Sequence, residues 1–354
     1  MLVPSHPYLR FIPARIGNSP ILDHAVKCVF PVHQARLQEQ WQAYSRALHS
    51  LHKALGNQKT LKEPETLAAM LVLQMYENHS APPGQASIVH ARGLSHAIQW
   101  NGPLGFVDDF NRVILNAEIG SIVMRAVAEG EHCFLARPEW IRILKLGVPK
   151  DSCLQLMQNM ALWAAPFPGL LKQFHDIRAI RTGPTLDFAF RSNNSADTMA
   201  NEAGLISDLK QFQAAMDAWT NTTSQEYKDY IDAEVVHPAR SLPPNASVLR
   251  CVIFASRVAA STFVVLSHYM IDWLSKDLAM RPRPSRSNVQ GVRLSADTAH
   301  ECQHWATAAH LDLVKLRALN SRDADTVANS MQLIFQKVLV SNLCGLSFLS
   351  IDSG

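Results

Sequence analysis

A chain of 354 residues that is 47% hydrophobic and 18% charged has enough apolar surface to bury a large core, as one big domain or two closely packed ones. Its 33 basic and 30 acidic residues leave a formal charge of +3, which excludes attachment to nucleic-acid phosphates by whole-chain electrostatics alone. The cysteines at 28, 133, 153, 251, 302 and 344 form no Cys-x-x-Cys unit, so neither a zinc knuckle nor a disulfide framework is expected, and reduced, buried thiols in an intracellular protein are.

The opening Met1-Leu-Val-Pro-Ser-His-Pro has no basic region followed by a long apolar run, so no secretory signal is expected. Leu37, Trp41, Tyr44, Leu48, Leu51 and Leu55 recur at alternating spacings of four and three, which predicts a helix with one apolar stripe. Gly56-Asn57 ends it. Glu63-Pro64-Glu65 opens the next helix, because proline fits a first turn and acidic side chains suit its positive end; this helix runs to about Tyr76. Asp108-Asp109 reads as another helix start, with the carboxylates capping. Thr185–Phe190 alternates weakly enough to allow a short extended segment.

Leu205, Leu209, Phe212, Met216 and Trp219 repeat the four-three pattern. Cys251 to Leu274 is the most apolar stretch, but Arg257, His268 and Asp272 interrupt the roughly 20 clean residues of a membrane span, so a buried core helix is predicted. Residues 276–293 hold Lys276, Arg281, Arg283, Arg286 and Arg293 against Asp277, a basic Pro/Arg-rich loop that suits either a nuclear-import signal or plain solvation. Asp325 to Phe348 predicts a further long helix. Breaks at Pro31, Pro82-Pro83, Gly102-Pro103, Pro166, Pro168, Gly183-Pro184 and Pro243-Pro244 then divide the chain into about ten to twelve helices with no strict repeat. The expected fold class is all-α, a single large multi-helix domain of packed antiparallel helices spanning 1–354.

His300-Glu301-Cys302-Gln303-His304 is a literal H-E-x-x-H, with His310 where a third zinc ligand would stand in a metzincin protease. The pattern lacks the glycine that lets such a chain turn back, since Thr307 stands there. On a continuing helix His310 lies roughly 240° around the axis from His304 and points away. Cys302, Trp305, Ala309, Leu313 and Leu316 mark the predicted core face, leaving the histidines on the wetter side. Phosphate-loop, dinucleotide and nucleophile-elbow motifs are missing from the sequence. No catalytic, cofactor-binding, DNA-binding or metal residue is assigned, and no cofactor is expected. Trp100, Trp140, Trp163, Trp219, Trp273 and Trp305 are read as core packing, with an apolar effector cavity as the other use of so many aromatics.

One ordered string remains. Tyr44-Ser-Arg-Ala-Leu-His-Ser-Leu-His-Lys-Ala-Leu is followed by Glu65-Thr-Leu-Ala-Ala, Tyr76-Glu77, His90-Ala-Arg-Gly93-Leu94, Gly102-Pro103, Phe110 with a helix through Val127, and Phe134-Leu-Ala-Arg-Pro-Glu-Trp140. Together with the lead-in from Pro13 to Phe30, it resembles the fungal-specific transcription factor domain, the helical regulatory region that usually follows a zinc binuclear cluster. The resemblance is clear to about residue 175. Physically its residues are structural: Glu65 is expected to cap, Gly93 to permit close helix approach, and Pro138 with Trp140 to start and anchor a helix.

The resemblance implies a non-enzymatic nuclear regulator of transcription, of a kind that often accompanies secondary-metabolite gene clusters. The family's six-cysteine cluster has no counterpart in this sequence, so direct DNA contact is not expected. Action through protein partners is, as a homodimer or with a complete zinc-cluster regulator, with a small-molecule effector as an option and no membrane role. The alternatives are a zinc-dependent hydrolase built on residues 300–304 and a non-enzymatic interaction scaffold.

Overall fold

The computed structural model describes residues 7–29, 37–80, 88–146, 152–182, 195–232, 246–276 and 295–317. All regular structure among them is helical, which makes the fold all-α. The expected segments at 185–190 and 325–348, and nearly all of the basic loop at 276–293, lie outside the described residues. The chain divides into two compact units, Met1–Arg125 with Cys133–Leu162, and Ala126–His132 with Trp163–Gly354.

In the first unit, 3-10 turns at Pro7–Phe11 and Pro13–Arg15 precede α1 (Pro20–Val29), α2 (Leu37–Leu55), the single turn α3 (Gln58–Leu61), α4 (Pro64–Ser80) and α5 (Ile88–Asn101). Pro64 occupies the first position of α4, where its missing N–H costs nothing. From Thr66 to Leu73 every residue of α4 is buried. A helix apolar on all sides must be enclosed on all sides, and α1, α2, α3 and α5 all pack on it.

The apolar stripe expected on α2 is rotated. Ala47, Leu51 and Ala54 are buried, whereas Trp41 is 66% exposed and Leu55 39% exposed. At about 100° per residue, Trp41 lies roughly 120° around the axis from Ala47. The reason is size: two alanines let α1 and α4 come close, and Trp41 and Leu55 of the expected stripe are left outside that contact while Leu51 stays within it.

After α5 the chain turns at Gly102, with φ 71° and ψ 167°, a backbone region in essence restricted to glycine. A 3-10 turn at Pro103–Phe106 leads to α6 (Asp109–Glu129). Asp108 caps it as the sequence suggests: its carboxylate accepts from the Asn111 backbone N–H at 3.0 Å and the Asn111 side-chain amide at 2.6 Å. Gly130, with φ 66°, closes the helix. The Glu131 N–H reaches the Ala126 carbonyl and the Gly130 N–H the Val127 carbonyl, which satisfies two orphan acceptors of the last turn. A 3-10 turn at Phe134–Ala136, α7 (Pro138–Leu144) and α8 (Ser152–Ala164) follow.

The second unit contains α9 (Phe167–Thr182), α10 (Ser195–Glu226), α11 (Lys228–Asp232), α12 (Ala246–Ser275) and α13 (Ala296–Arg317). The predicted stripe of α10 is buried throughout, from Leu205 to Trp219. Its core is aromatic: Phe167 stacks on Phe263 at 4.6 Å and meets Phe212 at 5.1 Å, and Phe174 meets Trp273 edge-on at 5.2 Å.

By length and composition Leu249–Ser275 could cross a membrane, yet 78% of its apolar window is buried within the protein. Its three polar interruptions are matched by partners. Arg257 donates from Nε to Asp312 at 2.8 Å and from Nη1 to Ser224 at 2.6 Å, tying α12 to α13 and α10. Asp272 pairs with Lys276 at 2.6 Å and accepts from the Ser295 N–H at the start of α13. His268 feels the charges of Glu301 and Asp217. Burying a charge is tolerable only with such compensation.

Candidate functional site

The ordered string of the first unit supplies packed clusters that tie its elements together. Tyr44 of α2 lies 5.2 Å from the Tyr76 ring of α4 and donates its hydroxyl to Glu77. Burial first, and then that carboxylate, push the phenol above its ordinary pKa. Glu65 does something other than the expected capping. Its carboxylate forms an ion pair with Arg15, whose guanidinium lies 3.9 Å from the centre of the Phe110 ring, so one arginine joins the lead-in segment to α4 and α6.

At the other end of the string, Pro138 is the first residue of α7 and Trp140 is 2% exposed. The indole meets Phe134 at 4.9 Å and Phe106 at 5.7 Å. The Phe-Leu-x-x-Pro-x-Trp pattern is thus the packing rule of a corner, with Pro138 starting the helix and Trp140 locking it to two preceding turns. Gly93 corrects its expectation: a β-carbon there would meet Met70 Cε at 3.5 Å, an ordinary contact. Close approach of α4 and α5 therefore does not demand glycine. The side chain of His90 lies outside the described residues.

The H-E-x-x-H segment forms a continuous part of α13, running through Thr307 without a turn. His300, Glu301, His304 and His310 are exposed, while Cys302, Ala306, Ala309 and Leu313 form the buried row. Trp305 is only half-buried, and Ala306 takes the core position expected for it. Among the described residues no group of three or more His, Cys, Asp or Glu side chains is arranged to hold a metal ion.

Glu301 has a different neighbour. It and Asp217 of α10 act electrostatically on His268 of α12, three helices contributing one titratable group each. Burial holds the imidazole below its ordinary pKa, and the two carboxylates oppose that fall. Burial likewise raises Asp217, with His268 pulling it back. The sequence marked His268 only as an interruption of an apolar run, and that interruption was the available signal.

Burial also favours the neutral form of three thiols and one carboxyl. It pushes the Cys28 and Cys133 thiols up to about 11 and Cys302 up to about 12, far from the thiolate a nucleophile needs. Glu118 of α6 is 3% exposed, and burial drives its carboxyl up to about 8 despite hydrogen bonds from Ser121 and Gln74. The tryptophans divide: Trp140, Trp219 and Trp273 are core residues, but Trp100 is 60% exposed and Trp163 40% exposed, contrary to their expected packing. Trp100, Leu104 and Val107 leave an exposed apolar corner around the Gly102 turn.

No family model matches the chain. Over 180 residues it is 27% identical to a protein of Emericella nidulans described as uncharacterized protein AN5342, a match that covers 49% of this chain and 38% of that protein. The chain thus spans well under half of that relative's length. No solved structure matches.

Proposed function

We propose that this chain is the helical body of a fungal-type transcription regulator, non-enzymatic, nuclear, and acting through protein contacts. The observation that carries this reading is the packing of the ordered residues from Tyr44 to Trp140. Tyr44 meets Tyr76 and Glu77 across two helices, and Trp140 meets Phe106 from an earlier turn and Phe134 six positions before it, as a domain-specific packing pattern requires. The same residues resemble the fungal regulatory domain in order.

Two further features support it. The buried thiols and the neutral Glu118 belong to packed cores, and the exposed Trp100, Leu104 and Val107 offer the aromatic and aliphatic side chains that anchor protein contacts. The relative from Emericella nidulans agrees with a fungal setting. The proposal assigns no DNA-contacting role to these residues. Secondary-metabolite gene clusters are the setting it favours. Deleting the gene and profiling transcripts tests it: a coherent set of transcripts is expected to change, and an unchanged profile would refute the proposal.

A further inference from the structure

Where α1 meets α2, a solvent-open depression of about 380 Å³ is lined by His24, Ser45, Arg46, His49 and Ser50. On α2, Ser45 with His49 and Arg46 with Ser50 are pairs four residues apart, so adjacent rows of one helix surface supply four of the five side chains. α1 supplies His24, whose Nδ1 lies 2.8 Å from Ser50 Oγ. That contact positions the ring and the hydroxyl together.

Each lining side chain can donate hydrogen bonds, and none is a carboxylate. The nearby charge is equally one-sided. Between Glu39 and Glu63 the sequence contains no acidic residue, while Arg46, Lys53, Lys59 and Lys62 fall within that stretch. Asp23, next to His24 in sequence, is engaged with the Gly17 N–H, from which it accepts at 2.8 Å. A guanidinium, two imidazoles and two hydroxyls lining one depression, with no carboxylate among them, suit a ligand rich in acceptors and negative charge. Phosphate oxygens, arrayed around one atom, can accept from several of these donors at once.

We propose that this depression binds a phosphate monoester, with Arg46 as the principal charge and His24, His49, Ser45 and Ser50 as flanking donors. The volume exceeds what a bare phosphate fills, which leaves room for the organic group. The site stands independently of the regulator reading, since its chemistry would be the same in a protein of any function.

The test is calorimetric titration of the full chain with inorganic phosphate, O-phosphoserine and a phosphoserine peptide, at ionic strength held constant with chloride. Saturable binding of the phosphorylated probes is expected, with serine and the unphosphorylated peptide silent. Arg46→Glu should weaken it by about tenfold or more, and Arg46→Gln and His24→Ala by less. A peptide that binds more tightly than O-phosphoserine assigns the ligand to a protein segment, and the reverse order assigns it to a free metabolite; either result supports the site. Arg46 is exposed, so circular dichroism of its variants should match the parent chain. Absence of saturable binding by every phosphorylated probe, or equal affinity in Arg46→Glu, would overturn the proposal.

Discussion

Glu118→Gln should abolish a specific pH dependence of stability. In the folded chain the Glu118 carboxyl is buried and raised from 4.5 to about 8, chiefly by that burial. When the chain unfolds, water returns the group to its ordinary value, so between about pH 5 and 8 the folded state holds a proton that the unfolded state releases. Stability must then fall as pH rises through that window, by at most about 1.4 kcal/mol per pH unit for one proton. The loss accumulates to roughly 4 to 5 kcal/mol by pH 8 at the conversion of about 1.36 kcal/mol per unit.

Glutamine has nearly the same shape, carries no ionisable proton, and can still accept from Ser121 and Gln74. Urea denaturation followed by tryptophan fluorescence at pH 5, 6, 7 and 8, for both proteins, isolates the effect as a difference. His268, whose folded pKa is lowered, contributes the opposite slope and cancels in that comparison. Near pH 5 the two proteins should be similarly stable, and the variant should gain steadily toward pH 8. A difference that is flat with pH, or that shrinks as pH rises, would refute a protonated Glu118 in the core.

Two glycines of the first unit should respond in opposite directions. Gly102→Ala places a β-carbon on a glycine-only backbone and should destabilise by about 1 to 3 kcal/mol, whereas Gly93→Ala, inside α5 and clear of steric conflict, should stabilise by about 0.5 to 1 kcal/mol; thermal melts decide both. Arg257→Met leaves Asp312, which is 2% exposed, without its partner, and should cost about 3 to 5 kcal/mol in denaturant titration, partly recovered by adding Asp312→Leu. His304→Ala should leave the metal content of purified protein unchanged, as judged by elemental analysis, because the histidines of that motif point to solvent from an unbroken helix; loss of a stoichiometric zinc would revive the hydrolase alternative.

Long, strongly periodic helices were the most legible part of the fold. The α10 stripe was read correctly because its large side chains are also the ones at the contact. On α2 the same rule misled, since Ala47 and Ala54 form the interface and Trp41 does not; hydrophobic periodicity weighs bulk, while helix packing also rewards smallness. The geometry of residues 300–310 was derivable, because a missing glycine is a local fact. The role of Glu65 was not. Its partner Arg15 comes from the lead-in segment, and local capping rules contain no information about a guanidinium fifty positions upstream. Tyr44, Tyr76 and Glu77 were visible as an ordered string, yet only the antiparallel approach of α2 and α4 makes them a cluster. His268 stood out as a polar residue in an apolar run, whereas Glu118 was not singled out. Their consequence depended on burial by elements distant in sequence, and then on Glu301 and Asp217 for one and Gln74 for the other.

Transcript profiling of a deletion strain, complemented with the parent gene or with a Trp140→Ala version, tests the central claim most directly. Removing an indole packed between Phe134 and Phe106 should cost about 3 to 5 kcal/mol and unseat the corner that ends the ordered string. The parent gene should restore the altered transcripts and the Trp140→Ala version should fail to do so. Transcripts that never change on deletion would contradict the regulator reading outright.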